Sequence, residues 1–158
     1  MAKLDDRLND ILQLEHDAVN AYETAIKNCD EGDIKTNLTD FLSDHTRHVS
    51  RLTEEVSNAG GKPASRPDLK GPFLKGLTAV MSKMGDRNLL RVMHQNENLT
   101  NSTYDHALKE EWPSEIRAFL IEFQSDERRH RSWIEQRLEE MEETEARPEA
   151  EHRPGAEP

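Results

Sequence analysis

Apolar residues recur at intervals of three and four along four stretches of the chain, the spacing that lines up one face of an α-helix. The first stripe holds Leu4, Leu8, Ile11, Ala18, Tyr22 and Ile26, with Glu15 at its centre. Leu38, Phe41, Leu52 and Val56 form the second, interrupted by His45 and His48. The third runs through Leu90, Met93, Thr100, Tyr104 and Leu108 around Glu97, and the fourth through Ile116, Phe119, Phe123, Ile134, Leu138 and Met141 around Glu127 and His130. Each stripe is apolar towards both ends, and every residue that interrupts it is a carboxylate or an imidazole. The pattern predicts four helices that bury these faces against one another.

Two short breaks separate the stripes pairwise. Asp30-Glu31-Gly32-Asp33 offers a glycine to end the first helix and Asp33 to cap the second. Trp112-Pro113-Ser114-Glu115 serves between the third and fourth, with proline tolerated in a first helical turn. Antiparallel hairpins over 4–58 and 87–141 are therefore expected. The connection between them, 59–86, is long and helix-breaking from Gly60-Gly61-Lys62-Pro63 to Gly71-Pro72, which suits a crossover along a bundle. Its amphipathic run, Phe73–Met84, is expected to be a helical plug over apolar surface. Residues 1–141 then make one bundle, and 142–158, almost entirely acid, arginine, proline and alanine, read as a disordered tail without a packing role.

The chain also repeats itself at a constant offset of 82 residues. Glu15 pairs with Glu97, Tyr22 with Tyr104, Ala25 with Ala107, Phe41 with Phe123, Ser43-Asp44 with Ser125-Asp126, and Arg47-His48 with Arg129-His130. An unchanged offset across two helices and their turn implies two copies of one hairpin, neither able to bury its apolar face alone.

Composition narrows the function classes. With 34% apolar, 34% charged and 5% aromatic residues in 158, the chain reads as one water-soluble helical domain. No apolar run reaches the roughly 18 residues of a spanning helix, and the first ten residues lack the apolar core of a secretory signal, so a cytoplasmic location is expected. A formal charge of −11 opposes binding to nucleic acid or anionic membranes. The one cysteine, Cys29, supplies neither an internal disulfide nor the four thiolates of a rubredoxin-type iron centre or a structural zinc site, so any metal must be held by oxygen and nitrogen.

In an antiparallel hairpin, residues equidistant from the turn sit at one height. The midpoint of Glu15 and His48 falls in the first turn and that of Glu97 and His130 in the second, while His45 and Glu127 lie one helical turn from the two histidines. Glu15, His45, His48, Glu97, Glu127 and His130 should therefore meet in one layer. Buried carboxylates need compensation, and no lysine or arginine occupies an inward position at that level, so a divalent metal ion is the expected occupant.

Glu15 with Tyr22, Glu97 with Tyr104, and Glu127-Arg128-Arg129-His130 together resemble the ferritin-like superfamily, particularly its rubrerythrin-type di-iron proteins. The resemblance implies an all-α, ferritin-like four-helix bundle of two repeated hairpins joined by one long crossover. It implies Glu15 and Glu97 as terminal carboxylate ligands, Glu127 as a bridging carboxylate, and His48 and His130 as terminal imidazoles. It further implies that Asp44 holds His130 and Asp126 holds His48, and that Tyr22 and Tyr104 hydrogen-bond a ligand or serve as redox groups, with core packing of a buried hydroxyl as the alternative. Iron, one or two ions per chain, would react with O2 or hydrogen peroxide as in a peroxidase or ferroxidase. A homodimer is expected by the same analogy, and an external electron donor because the cysteines of a built-in one are missing. A storage cage is not expected, since no fifth packing helix follows.

One position departs from the pattern. His45 stands where the family pattern has a glutamate, so the layer offers three carboxylates against the four charges of two divalent ions. Weaker or unequal occupancy, a mononuclear site, or an added hydroxide or oxo bridge would each answer that deficit. Oxygen and nitrogen ligands also suit manganese and zinc. The competing reading is a scaffold or interaction protein of a stress response whose ligand layer is vestigial and metal-free. His16 and His106 read as surface histidines, and His94 as a stripe-edge residue able to support Glu97.

Overall fold

The computed structural model describes residues 2–68 and 85–146; Phe73–Met84 and residues 147–158 of the acidic tail lie outside the described residues. Among the described residues four helices form: α1, Leu4–Asn28; α2, Gly32–Asn58; α3, Asp86–Ala107; and α4, Ser114–Ala146. The pair α1 and α2 packs along its length, as does α3 and α4, while the two hairpins meet between α1 and α3 and, least closely, between α2 and α4.

The apolar stripes merge into two clusters. One gathers Ala18, Tyr22, Ile34, Leu38, Phe41, Leu90, Met93 and Ile134, the other Leu8, Leu12, Leu52, Val56, Tyr104, Ile116, Leu120 and Phe123. On every helix the interrupting Glu or His lies between residues of one cluster and residues of the other. The polar layer is thus capped by apolar packing towards both ends of the bundle, which excludes water from it along the bundle axis.

Two boundaries differ from the sequence reading. Gly32 opens α2 instead of ending α1, and Asp33 makes no side-chain cap. The cap comes from the other hairpin: Asp86 Oδ1 and Oδ2 accept from the backbone N–H groups of Asp30 and Glu31, both at 2.9 Å. A carboxylate there satisfies turn donors and complements the positive end of α2. The second difference is that α4 runs to Ala146 instead of stopping near Met141. Its last turns have no stripe to bury and are held by ion pairs of Arg87 with Glu142 and Glu145.

α2 is closed two residues past Asn58 by Gly60, whose φ of +87° is the left-handed conformation a side chain disfavours. The following stretch is laid along α1. Asn9 bonds both Lys62 and Ala64, Gln13 donates to the Arg66 carbonyl, and Asp17 Oδ1 accepts from the Asp68 N–H at 2.6 Å. His16 is part of this strap, with Nε2 2.8 Å from the Ala64 carbonyl, and is half-buried instead of a free surface group.

Candidate metal centre

Glu15 from α1, His45 and His48 from α2, Glu97 from α3, and Glu127 and His130 from α4 are each 0–1% exposed and converge between the two apolar clusters. Their ligand atoms fall into two overlapping sets, Glu15, His45, His48 and Glu127, and His45, Glu97, Glu127 and His130, within each of which all atoms lie within 4.8 Å of one another. Glu127 and His45 belong to both. These two residues are equivalent under the 82-residue repeat, so they face each other at the centre of a pseudo-symmetric layer. His45 spans it: Nδ1 is 2.6 Å from Glu15 Oε2 and 3.4 Å from Glu127 Oε1, while Nε2 is 3.6 Å from Glu97 Oε1.

The outer histidines are turned inward by acids of the opposite hairpin. His48 Nε2 lies 2.9 Å from Asp126 Oδ2 and His130 Nε2 2.8 Å from Asp44 Oδ2. A ring N–H held by a carboxylate leaves Nδ1 as the free donor. That atom faces the layer in both rings, 3.2 Å from Glu15 Oε1 for His48 and 3.6 Å from Glu97 Oε1 for His130. Phe123 stacks on His48 at 3.9 Å between centroids and Phe41 on His130 at 4.3 Å, which fixes the ring planes.

Both tyrosines cross between hairpins. Tyr104 donates to Glu15 Oε1 at 2.6 Å, and Tyr22 donates to Glu97 Oε1. Burial first, and then the facing carboxylates, push both phenols well above their ordinary pKa, so they stay neutral donors. Removing one such donor to a buried carboxylate costs about 1–3 kcal/mol. Tyr104→Phe is therefore expected to lower the unfolding free energy of the metal-free protein by that amount in urea titration, and unchanged stability would show that the bond contributes nothing.

Without a cation, the layer is compensated by protons. Burial opposes charge on every member, yet His45 and His48 hold Glu15 well below the usual carboxylate range, and His130 and His45 lower Glu97 to about 2. Burial works against the imidazolium forms too, but Glu15 raises His48 to about 10, Asp44 raises His130 to about 9, and Glu127 with Glu15 lifts His45 well above 6.5. Glu127 differs: burial, aided by repulsion from Glu97 and Glu15, outweighs the attraction of His45 and raises its pKa. Both Glu127 oxygens, Glu97 Oε2, His45 Nε2 and His130 Nδ1 have no hydrogen-bond partner. Buried carboxylate oxygens and imidazole nitrogens left without partners in one layer are the arrangement a divalent cation satisfies once the imidazoles give up their protons.

Asn101 was not legible as part of the site, because it lies beside the stripe and reads as surface. It is fully buried, and its Nδ2 donates to the backbone carbonyls of Glu97 and Glu127 at 2.8 and 3.1 Å, which ties α3 to α4 at the layer. His94 does not support Glu97; it pairs with Glu135 at 3.0 Å outside the layer. His106 is exposed, and Cys29 is a buried free thiol.

A family model described as domain of unknown function (DUF2383) matches residues 3–110, which carry Glu15, His45, His48 and Glu97; Glu127 and His130 on α4 lie beyond the match. The structure is similar to a solved one described as ferritin-like, diiron-carboxylate proteins from Bacillus anthracis str. Ames, with a TM-score of 0.70 and 21% identity over 85% of this chain and 94% of that one. That likeness identifies the fold as a ferritin-like four-helix bundle. No functionally curated protein matches the sequence.

Proposed function

The chain belongs to the DUF2383 family, and on that premise we propose that it is a non-haem metal protein, loaded with iron as a dinuclear centre, that reacts with O2 or hydrogen peroxide in the manner of a rubrerythrin-like peroxidase or ferroxidase. The observation that carries the reading is the convergence of unpartnered, fully buried Glu127, Glu97, His45 and His130 atoms in one layer. The solved neighbour, described as a diiron-carboxylate protein, supports the class of metal. Glu15 and His48 would hold one ion and Glu97 and His130 the other, with Glu127 and His45 between them. When bound, iron would supply the electrons and the open coordination positions that reduction of an oxidant requires.

The protein's own residues set the conditions. Asp126 and Asp44 orient His48 and His130, Tyr104 and Tyr22 hold one oxygen each of Glu15 and Glu97, and the two apolar clusters keep bulk water away. With Cys29 alone and buried, no thiol cluster carries electrons in, so turnover requires an external reductant. We place the protein in the cytoplasm as a homodimer. Three carboxylates against two divalent ions leave the layer one charge short, so the second ion binds more weakly than the first.

Anaerobic titration of chelator-treated protein with ferrous ion tests this. Two equivalents of unequal affinity, followed by a new near-ultraviolet band on adding peroxide, are expected. Binding of one ion only would make the site mononuclear, and binding of none would leave a four-helix scaffold with a structural polar layer.

A further inference from the structure

Among the repeated residues that the ligand set does not use is the arginine preceding each outer histidine. Arg47 and Arg129 both reach across the seam between α2 and α4. Arg47 Nη2 is 2.6 Å from Asp126 Oδ2 and 3.5 Å from Asp44 Oδ1, and Arg129 Nη2 is 2.5 Å from Asp44 Oδ2 and 3.3 Å from Asp126 Oδ1. The four side chains close a ring. In each half, the oxygen that the arginine holds is the same Oδ2 that meets the histidine ring.

This ring forms a polar path from solvent to the layer. Exposure falls along it from 47% and 54% at the arginines, through 21% and 16% at Asp44 and Asp126, to 0% at His48 and His130. The apolar clusters cap both ends, and Tyr22, Thr100, Asn101 and Tyr104, all 0–1% exposed, close the side between α1 and α3. The seam under the ring is also where the two hairpins touch least. The arginine ends of these pairs are exposed, so the guanidinium groups can leave the carboxylates without unfolding the bundle.

We propose that divalent cations reach the layer through this ring, with Arg47 and Arg129 closing it and Asp44 and Asp126 receiving the cation on its way to His130 and His48. The inference rests on the metal-binding reading above. With the arginines in place the ring is neutral and both Oδ2 atoms are engaged. When the arginines swing out, two carboxylates face the solvent at a mouth of the strongly acidic molecule, which raises the local concentration of cations.

The test is stopped-flow uptake of cobalt(II) by the chelator-treated full chain at low ionic strength, read from the cobalt absorption bands, with the final stoichiometry measured in the same samples. Arg47→Gln with Arg129→Gln is expected to accelerate uptake about tenfold or more with an unchanged endpoint. Arg47→Lys with Arg129→Lys keeps the charge but loses the two-oxygen fork, so its rate should lie between those of the parent and the Gln pair. Arg87→Gln with Arg91→Gln removes the same charge at a distant pair of sites and should leave the rate within about twofold of the parent. Equal acceleration in that control, parental rates in both ring variants, or a loss of bound cobalt in the Lys variant overturns the route while leaving the metal site standing. Failure of the parent to bind cobalt overturns the metal reading itself, and the route with it.

Discussion

Glu127→Gln is expected to abolish tight metal binding in both halves of the layer at once and to stabilise the metal-free protein. The two effects have one origin. Glu127 belongs to both ligand sets, and neither of its oxygens has a hydrogen-bond partner. Its pKa is raised, chiefly by burial, so its charged form is worse off in the folded protein than in the unfolded one. A neutral isostere removes that penalty. It also removes the one carboxylate common to both ligand sets. Losing a group that merely supports a ligand already costs about 10- to 100-fold in affinity, so losing a shared ligand should cost at least about 100-fold at each position.

Glu15→Gln supplies the contrast. Despite burial, His45 and His48 hold that carboxylate far below the usual range, so its charge stabilises the fold. Removing it should lower both metal affinity and metal-free stability. Denaturant unfolding of the chelator-treated variants, beside cobalt titration, separates the two residues. If Glu127→Gln destabilised the metal-free protein as Glu15→Gln does, the layer would be an internally balanced salt-bridge cluster instead of one built around an ion.

Much of this was legible in the sequence because it is periodic. The 82-residue offset joins residues in contact with equivalent neighbours, and the interruption of all four stripes by Glu and His locates the layer from spacing alone. What escaped is what depends on neighbours remote in sequence. Asp86 caps the α1–α2 turn from 55 and 56 residues away, and no local signal marks it. The end of α4 carries no stripe, so its helicity, supported by Arg87 with Glu142 and Glu145, reads as disorder. Asn101 and the two ring arginines sit beside their stripes. Side chains there read as solvated until the crossing of the hairpins shows what they reach. His45 is intermediate: the sequence shows that it breaks the carboxylate pattern, but only the packing shows that its two nitrogens face opposite halves of the layer.

Metal affinity should climb, and metal-free stability fall, as pH rises from about 6.5 to about 10. Burial disfavours the imidazolium forms, yet the surrounding carboxylates raise His48 to about 10 and His130 to about 9, against 6.5 in the unfolded chain. A raised folded-state value means that the stabilisation is complete below pH 6.5 and is lost as pH passes through 9 and 10. Glu97, lowered to about 2 from 4.5, works the other way: its contribution is present above pH 4.5 and lost as pH falls towards 2. The metal-free protein should therefore be most stable between about pH 4.5 and 6.5. Metal reverses the upper limb, because each imidazole must release its proton before it can donate to an ion. At pH 7, filling the layer should release up to three protons, from His45, His48 and His130, so affinity should rise by up to about tenfold per pH unit for each proton displaced. Calorimetric titration with cobalt(II) in two buffers of different ionisation enthalpy counts those protons directly. Release of none at pH 7 would mean that the imidazoles are neutral in the metal-free layer. The three carboxylates would then lie buried without compensation, and the protein would have to be unstable without its metal.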